Sequence, residues 1–165
     1  MDTIQHCFPP VVRPDTRLLI LGSLPGAASL AAGRYYAHRR NQFWRLVETA
    51  IDRPLQPLAY EERLEVLLET GIGLWDTVAT ARRRGSLDAD IRLHEASDLA
   101  ALAAGLPELT AIAFNGGTAA RIGRRQLGSA PGWALINLPS SSPAYTLPFA
   151  VKAGKWRQIG TYLDR

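Results

Sequence analysis

Four short apolar runs constrain this chain more than any other feature. They lie in "RLLILG" (17–22), "IGLWDTV" (72–78), "LTAIAFNGG" (109–117) and "WALINLPSSSPAY" (133–145). Their apolar residues are consecutive rather than alternating, which suits strands covered on both faces. Each run then meets Gly, Asp, Asn or Pro, residues that end strands and open turns. Amphipathic segments stand between them. Residues 41–51 put Phe43, Trp44, Val47 and Ile51 on one helical face, with Arg45, Glu48 and then Asp52 on the other. "YEERLEVLLETG" (60–71) repeats the pattern, with Gly71 placed to cap its C-terminus. Further helices are predicted over 96–107, capped by Ser97, and over "TAARIGRRQLG" and "KAGKWRQIGTYLDR". Strands alternating with helices predict a three-layer αβα sandwich around a central, mostly parallel four-stranded sheet. "SLPGAAS" (23–29) reads as a Gly/Pro loop, and 79–96, aperiodic and carrying Arg82 to Arg84, as a long loop. No repeat or low-complexity tract interrupts the pattern, so residues 1–165 are expected to form one domain.

Composition removes several functions. Cys7 is the only cysteine, which excludes an internal disulfide, a cysteine-ligated iron–sulfur cluster and a cysteine-rich zinc site. His6, His38 and His94 show no metal-binding spacing, and neither metal nor cofactor is expected. No apolar run approaches the roughly 20 residues of a membrane span, and "MDTIQHCFPP" lacks the character of a signal peptide. The expectation is a monomeric cytoplasmic protein with no membrane partner. Formal charge is +4, and all 19 basic residues except Lys152 and Lys155 are arginines. Clusters at Arg34, Arg39 and Arg40, and at Arg121, Arg124 and Arg125, favour a polyanionic partner. A coding preference for arginine would give the same composition.

In parallel α/β sheets, ligands bind beyond the carboxyl ends of the strands. That rule selects "GSLPG" (22–26), "WDTVATARRRG" (75–85), "FNGGT" (114–118) and "LPSSSPAY" (138–145). "GSLPG" fits neither a Walker loop, a dinucleotide fingerprint nor a nucleophile elbow. It is a tight turn whose Gly22, Ser23, Leu24 and Gly26 allow close backbone approach to a ligand. Asn41, in "YYAHRRNQFW" (35–44), is placed to cap a helix. An amide at the positive end of a helix can also hold a water or a polar ligand edge. Tyr35 and Tyr36 are either core aromatics or stacking surfaces. His38 reads as a hydrogen-bonded structural residue. Asn115 and Asp76 are turn formers, and Asn115 also stands where a ligand edge would be read. Ser140, Ser141 and Ser142 suit a loop that turns backbone N–H groups towards phosphate.

Taken in order, these segments resemble the uracil-DNA glycosylase superfamily, over roughly residues 17–163. "GSLPG" is similar to its first motif, "LPSSSPAY" to its last. "YYAHRRNQFW" resembles the Phe-Ala-His-Pro-x-Asn-x-Phe-Trp run of the mismatch-specific branch. The fullest likeness is to the hypoxanthine-DNA (deoxyinosine) glycosylase family, whose members read like "LGSxPGxxSLxxxxYYAHxRNxFW". Two departures matter. Leu24 stands where most of the superfamily keeps a water-positioning Asn or Asp, and Leu138 replaces the usual His or Asn of the last motif.

The resemblance implies hydrolysis of the N-glycosidic bond of a deaminated base, foremost hypoxanthine, flipped out of double-stranded DNA. Asn41 would be the catalytic amide and Tyr36 the stacking surface. Asn115 would read the base edge, with Gly22, Ser23, Leu24, Gly26 and His38 around the base. Arg39, Arg40, Ser140 to Ser142 and Tyr145 would meet the DNA, and Arg82 to Arg84 would add backbone contacts. Both lysines are expected away from the motifs, which implies a monofunctional enzyme without lyase chemistry. The alternatives are a mismatch-specific uracil or thymine glycosylase, an inactive DNA-binding module of the same fold, and a hydrolase of free nucleosides.

Overall fold

The computed structural model describes residues 3–83, 92–128 and 132–163. Its elements in chain order are β1 (Thr3–His6), β2 (Leu18–Gly22), α1 (Ala27–Ala32), α2 (Phe43–Ile51), α3 (Tyr60–Thr70), β3 (Ile72–Asp76), β4 (Val78–Arg83), β5 (Arg92–Ala96), α4 (Leu99–Ala104), β6 (Ala111–Asn115), α5 (Gly117–Leu127), β7 (Ala134–Leu138) and α6 (Phe149–Trp156), followed by a 3₁₀ turn over Arg157–Tyr162.

The four apolar runs form one sheet in the order β3-β2-β6-β7, and every pairing in it is parallel. Leu18, Leu19, Ile20 and Leu21 are fully buried, because β2 lies inside the sheet and is covered on both sides. Burying each such side chain stabilises the fold by about 1.5–3 kcal/mol. Alternate residues serve opposite layers. Leu18, Ile20, Ile72, Leu74 and Ile136 pack with Phe43, Leu46, Val47, Leu67 and Trp156 of α2, α3 and α6. Leu19, Leu21, Ile112 and Phe114 pack with Leu99, Ala103 and Ala119 of α4 and α5. The result is the expected three-layer α/β/α sandwich. After β3 the chain returns to the far side of β2, so strand order reverses between β2 and β6. A crevice forms at that switch point, beyond the carboxyl ends.

Several local expectations change. Residues 79–96 are not simply a loop: β4 pairs antiparallel with both β1 and β5, making a three-stranded second sheet. "VATARR" has no apolar face, and β1 is far away in the chain, so pairing rather than local pattern makes it a strand. Arg84 lies outside the described residues. "SLPGAAS" runs straight into α1, which ends at Gly33. Asp98, not Ser97, caps α4, its carboxylate accepting from the backbone N–H of Ala101 at 3.2 Å. Ser97 is buried instead.

Candidate active site

The crevice holds a cavity of about 620 Å³. Gly22, Ser23, Leu24 and Gly26 line it from the turn after β2, Tyr36, His38 and Asn41 from the segment before α2, and Asp76 from the end of β3. Asn115 enters from the end of β6, and Ser140, Ser141, Ser142 and Tyr145 from the loop after β7. Of the candidate residues named from sequence, Arg39 and Arg40 lie off this wall. They are exposed and line an adjoining groove with Arg34, Arg45 and Arg63.

The two tyrosines take opposite roles. Tyr35 is a core residue, 3% exposed. Its hydroxyl donates to the Pro9 carbonyl at 3.1 Å, and its ring meets Phe8 edge-on. Burial foremost, then the charge of Asp76, pushes the Tyr35 pKa up, so it stays a neutral donor. Tyr36 has φ 54°, a left-handed conformation unusual for an aromatic residue. This reverses the chain and stacks the ring on Phe43, with centroids 3.8 Å apart and planes within 16°. Its carbonyl accepts from the Trp44 indole N–H at 3.3 Å. Phe43 and Trp44 belong to α2, so the helix core holds the Tyr36 ring in place from behind.

Gln42, not Asn41, is the N-cap of α2; Asn41 stands one residue earlier, and its Oδ1 accepts from the Phe43 N–H at 3.0 Å in a turn that leads into the helix. That bond orients the amide. Nδ2, with no protein acceptor among the described residues, becomes the end available to the cavity. His38 serves the same turn. Its Nδ1 accepts from the Arg40 N–H at 3.1 Å and its carbonyl from the Asn41 N–H at 3.0 Å. A neutral His38 therefore carries its proton on Nε2.

Asn115 commits its amide to the serine loop. Nδ2 donates to Ser141 Oγ and Oδ1 accepts from the Ser141 N–H, both at 2.9 Å. Next to it, Gly116 has φ 99°, and a Cβ there would lie 3.2 Å from Ser140 Cβ. The loop can thus lie close against the end of β6. Asn115→Ala would leave the buried Ser141 N–H without its acceptor. We expect a stability loss of about 1–3 kcal/mol, measurable in urea, with weakened binding to DNA.

Lys152 corrects an expectation. It is not remote from the motifs: it is 1% exposed, and its Nζ donates to Gln42 Oε1 at 3.0 Å and to the Ser142 carbonyl at 3.2 Å. Burial lowers its pKa. Helix α6 thereby ties the segment beside Asn41 to the serine loop, and Trp156 Nε1 adds a bond to the Pro139 carbonyl at 2.9 Å. Sequence distance hid this contact, since Lys152 lies a whole helix turn into an element that reads as ordinary core.

The uracil DNA glycosylase superfamily model matches residues 9–159. The chain belongs to that superfamily. A protein of Methanosarcina acetivorans named "Hypoxanthine DNA glycosylase" is 41% identical over 156 residues, covering 94% of this chain and 98% of its own. A Methanosarcina barkeri protein of the same name is 42% identical over 109 residues, 66% of this chain and 69% of its own. A solution NMR structure from Methanosarcina acetivorans, described as a candidate uracil DNA glycosylase, superposes with a TM-score of 0.87 at 37% identity over 99% of this chain and 100% of that one. The two leucines of the first and last motifs are both buried. Leu24 is 6% exposed and packs with Val78 and Ile122, where it cannot orient water. Leu138 is 3% exposed and belongs to the core. The polar side chains around the cavity include Asn41, Asp76, Asn115 and the serines. Asp76, by sequence a turn former or a loop anchor, is among the residues lining the cavity.

Proposed function

We propose that this chain is a DNA glycosylase that hydrolyses the N-glycosidic bond of hypoxanthine in double-stranded DNA. The observation that carries the reading is Asn41. Its side-chain carbonyl is fixed by the Phe43 N–H and its amide N–H₂ is left at the cavity, in a chain that is similar over nearly its whole length to a named hypoxanthine DNA glycosylase.

The chemistry follows from the side chains. The nucleotide must leave the base stack, at a cost of a few kcal/mol that is least at a mispaired lesion. The flipped base lies against the ring face of Tyr36 that Phe43 does not cover. As the glycosidic bond lengthens, the sugar becomes cationic and the base anionic. Nδ2 of Asn41 is a donor and cannot take a proton from water. It instead stabilises charge on the departing base, a preorganised dipole at a helix start. The Ser140 and Ser142 hydroxyls, whose oxygens accept from the Ser142 and Ala144 N–H groups, keep their own hydrogens to donate to a phosphate, Tyr145 stands at the gap in the duplex, and Arg39 and Arg40 add contacts to the DNA backbone. Lys152 is buried behind the loop and outside the cavity lining, which favours a monofunctional enzyme that leaves an abasic site.

The test is a set of labelled duplexes carrying inosine, uracil, xanthine or adenine at one position, incubated with enzyme and cleaved with hot alkali. Strand breaks at inosine are expected. Breaks at uracil alone would replace this reading with a mismatch-specific uracil glycosylase. DNA binding without any break would point to an inactive module, and release from free inosine only would point to a nucleoside hydrolase.

A further inference from the structure

Behind the serine loop lies a buried charge that the chemistry above does not use. Lys152, in α6, is 1% exposed. Among the described residues the ion pairs are Arg13 with Asp15 and Arg53 with Glu69, and no carboxylate reaches the Lys152 ammonium. Its Nζ donates instead to two neutral oxygens, Gln42 Oε1 at 3.0 Å and the Ser142 carbonyl at 3.2 Å. A buried cation without an anion costs stability, and an apolar side chain of similar size would cost less. Proteins keep such costs chiefly at functional sites.

The two acceptors belong to different walls of the cavity. Gln42 directly follows Asn41 and is the N-cap of α2. Ser142 lines the cavity, and its carbonyl also accepts from the Tyr145 N–H at 3.1 Å, which closes the turn carrying Tyr145. The Tyr145 ring centroid lies 5.4 Å from the same ammonium. One further bond joins these walls, from the Gln42 N–H to the Ser141 carbonyl at 3.0 Å. It is a single backbone attachment, about which the walls could turn. The ammonium supplies a second, because its three donors can serve oxygens of two elements at once. Helix α6 holds it from behind through the fully buried Trp156, whose Nε1 donates to the Pro139 carbonyl at 2.9 Å.

We propose that Lys152 is a positioning residue for base excision: by bridging Gln42 and the Ser142–Tyr145 turn it fixes the Asn41 wall against the loop that meets the DNA, and so sets the place of the Asn41 donor. This role rests on the reading of Asn41 as the donor to the departing base. Lys152 touches no reacting atom and works through its neighbours. Small misplacements of a reacting group cost large factors in rate, so a side chain outside the cavity lining can matter to the chemistry.

Urea unfolding and single-turnover release from an inosine duplex are compared in wild type, Lys152→Met, Asn41→Ala and the double variant, with release measured where each is fully folded. Lys152→Met should unfold at or above the wild-type midpoint, since it removes a buried charge, yet release base at least about tenfold more slowly. In the Asn41→Ala background the same change should cost less than about twofold, because no donor is left to position. Gln42→Leu breaks the bridge from its other end. It should slow release by a similar factor, again only while Asn41 is present, and it carries the test if Lys152→Met does not fold. Release at the wild-type rate, or an equal fold-loss in both backgrounds, overturns the inference: the first makes the lysine idle, the second purely structural. Asn41→Ala releasing base like wild type overturns the role of Asn41 and this inference together, while the enzyme remains a glycosylase. A wild type that releases uracil instead corrects the substrate, and the same four proteins compared on uracil then decide the role of Lys152. A wild type that releases no base overturns both readings.

Discussion

Asn41→Ala should lower the single-turnover rate of hypoxanthine release by about 10²–10³-fold, the usual cost of losing one preorganised donor to a developing anion. Affinity for uncleavable substrate should change little, since the interaction strengthens only as the bond breaks. The same substitution removes the Oδ1 acceptor from the Phe43 N–H, so about 1 kcal/mol of stability should be lost with it. The two roles can be parted. Asn41→Asp and Asn41→Ser keep an oxygen for the Phe43 N–H and discard the amide donor. Both should melt near the wild-type temperature and still release base slowly. If Asn41→Ser turns over like wild type, Asn41 holds the turn before α2 and nothing more.

Phe43→Ala is expected to be the most destabilising single change in this region, by about 3–5 kcal/mol in denaturant unfolding. Phe43 is fully buried. It supports three neighbours at once: Tyr36 stacked at 3.8 Å, Trp44 edge-on at 5.0 Å and Trp156 edge-on at 5.8 Å. Its loss removes apolar area and leaves a cavity that these rings cannot close together. Phe43→Leu is the informative companion. It keeps most of the volume, so it should cost far less stability. It still takes away the flat surface behind Tyr36, and with it the reason that a residue at φ 54° keeps one orientation. Base release by Phe43→Leu should fall about tenfold under conditions where the protein is fully folded, as expected when a positioned group is left loose. Circular dichroism and the single-turnover assay on the same sample check both statements.

The main sheet was legible because its strands are buried on both faces and so read as unbroken apolar runs. Leu18 to Leu21 are the clearest case. Helices α2 and α3 were legible because each has one apolar face, and Gly71 ends α3 in a left-handed conformation as expected. The cavity lining was legible through the rule that ligands gather beyond parallel strand ends, which needs no side-chain detail. The failures have two causes, partners distant in the chain and elements too short to show a pattern. β1, β4 and β5 lack an apolar pattern and depend on partners distant in sequence. α1 is only six residues and opens behind Pro25 and Gly26, which read as loop. Lys152 lies 110 residues from the glutamine it binds.

By itself the sequence determined the layer order, the place of the pocket and the residue types around it. Those follow from local periodicity and from where each strand is forced to stop. Tertiary structure alone decided what each polar group has left to offer. Hydrogen bonds saturate, and the partners that saturate them are distant in the chain. Asn115 looked like a reader of ligands, yet Ser141 takes up both ends of its amide. Asn41 looked like a cap; Gln42 takes that place, and the bond from the Phe43 N–H to Asn41 Oδ1 is what turns the Asn41 donor to the cavity. Asp76 looked like a turn former until the missing Cβ of Gly22 placed its carboxylate beside Tyr36.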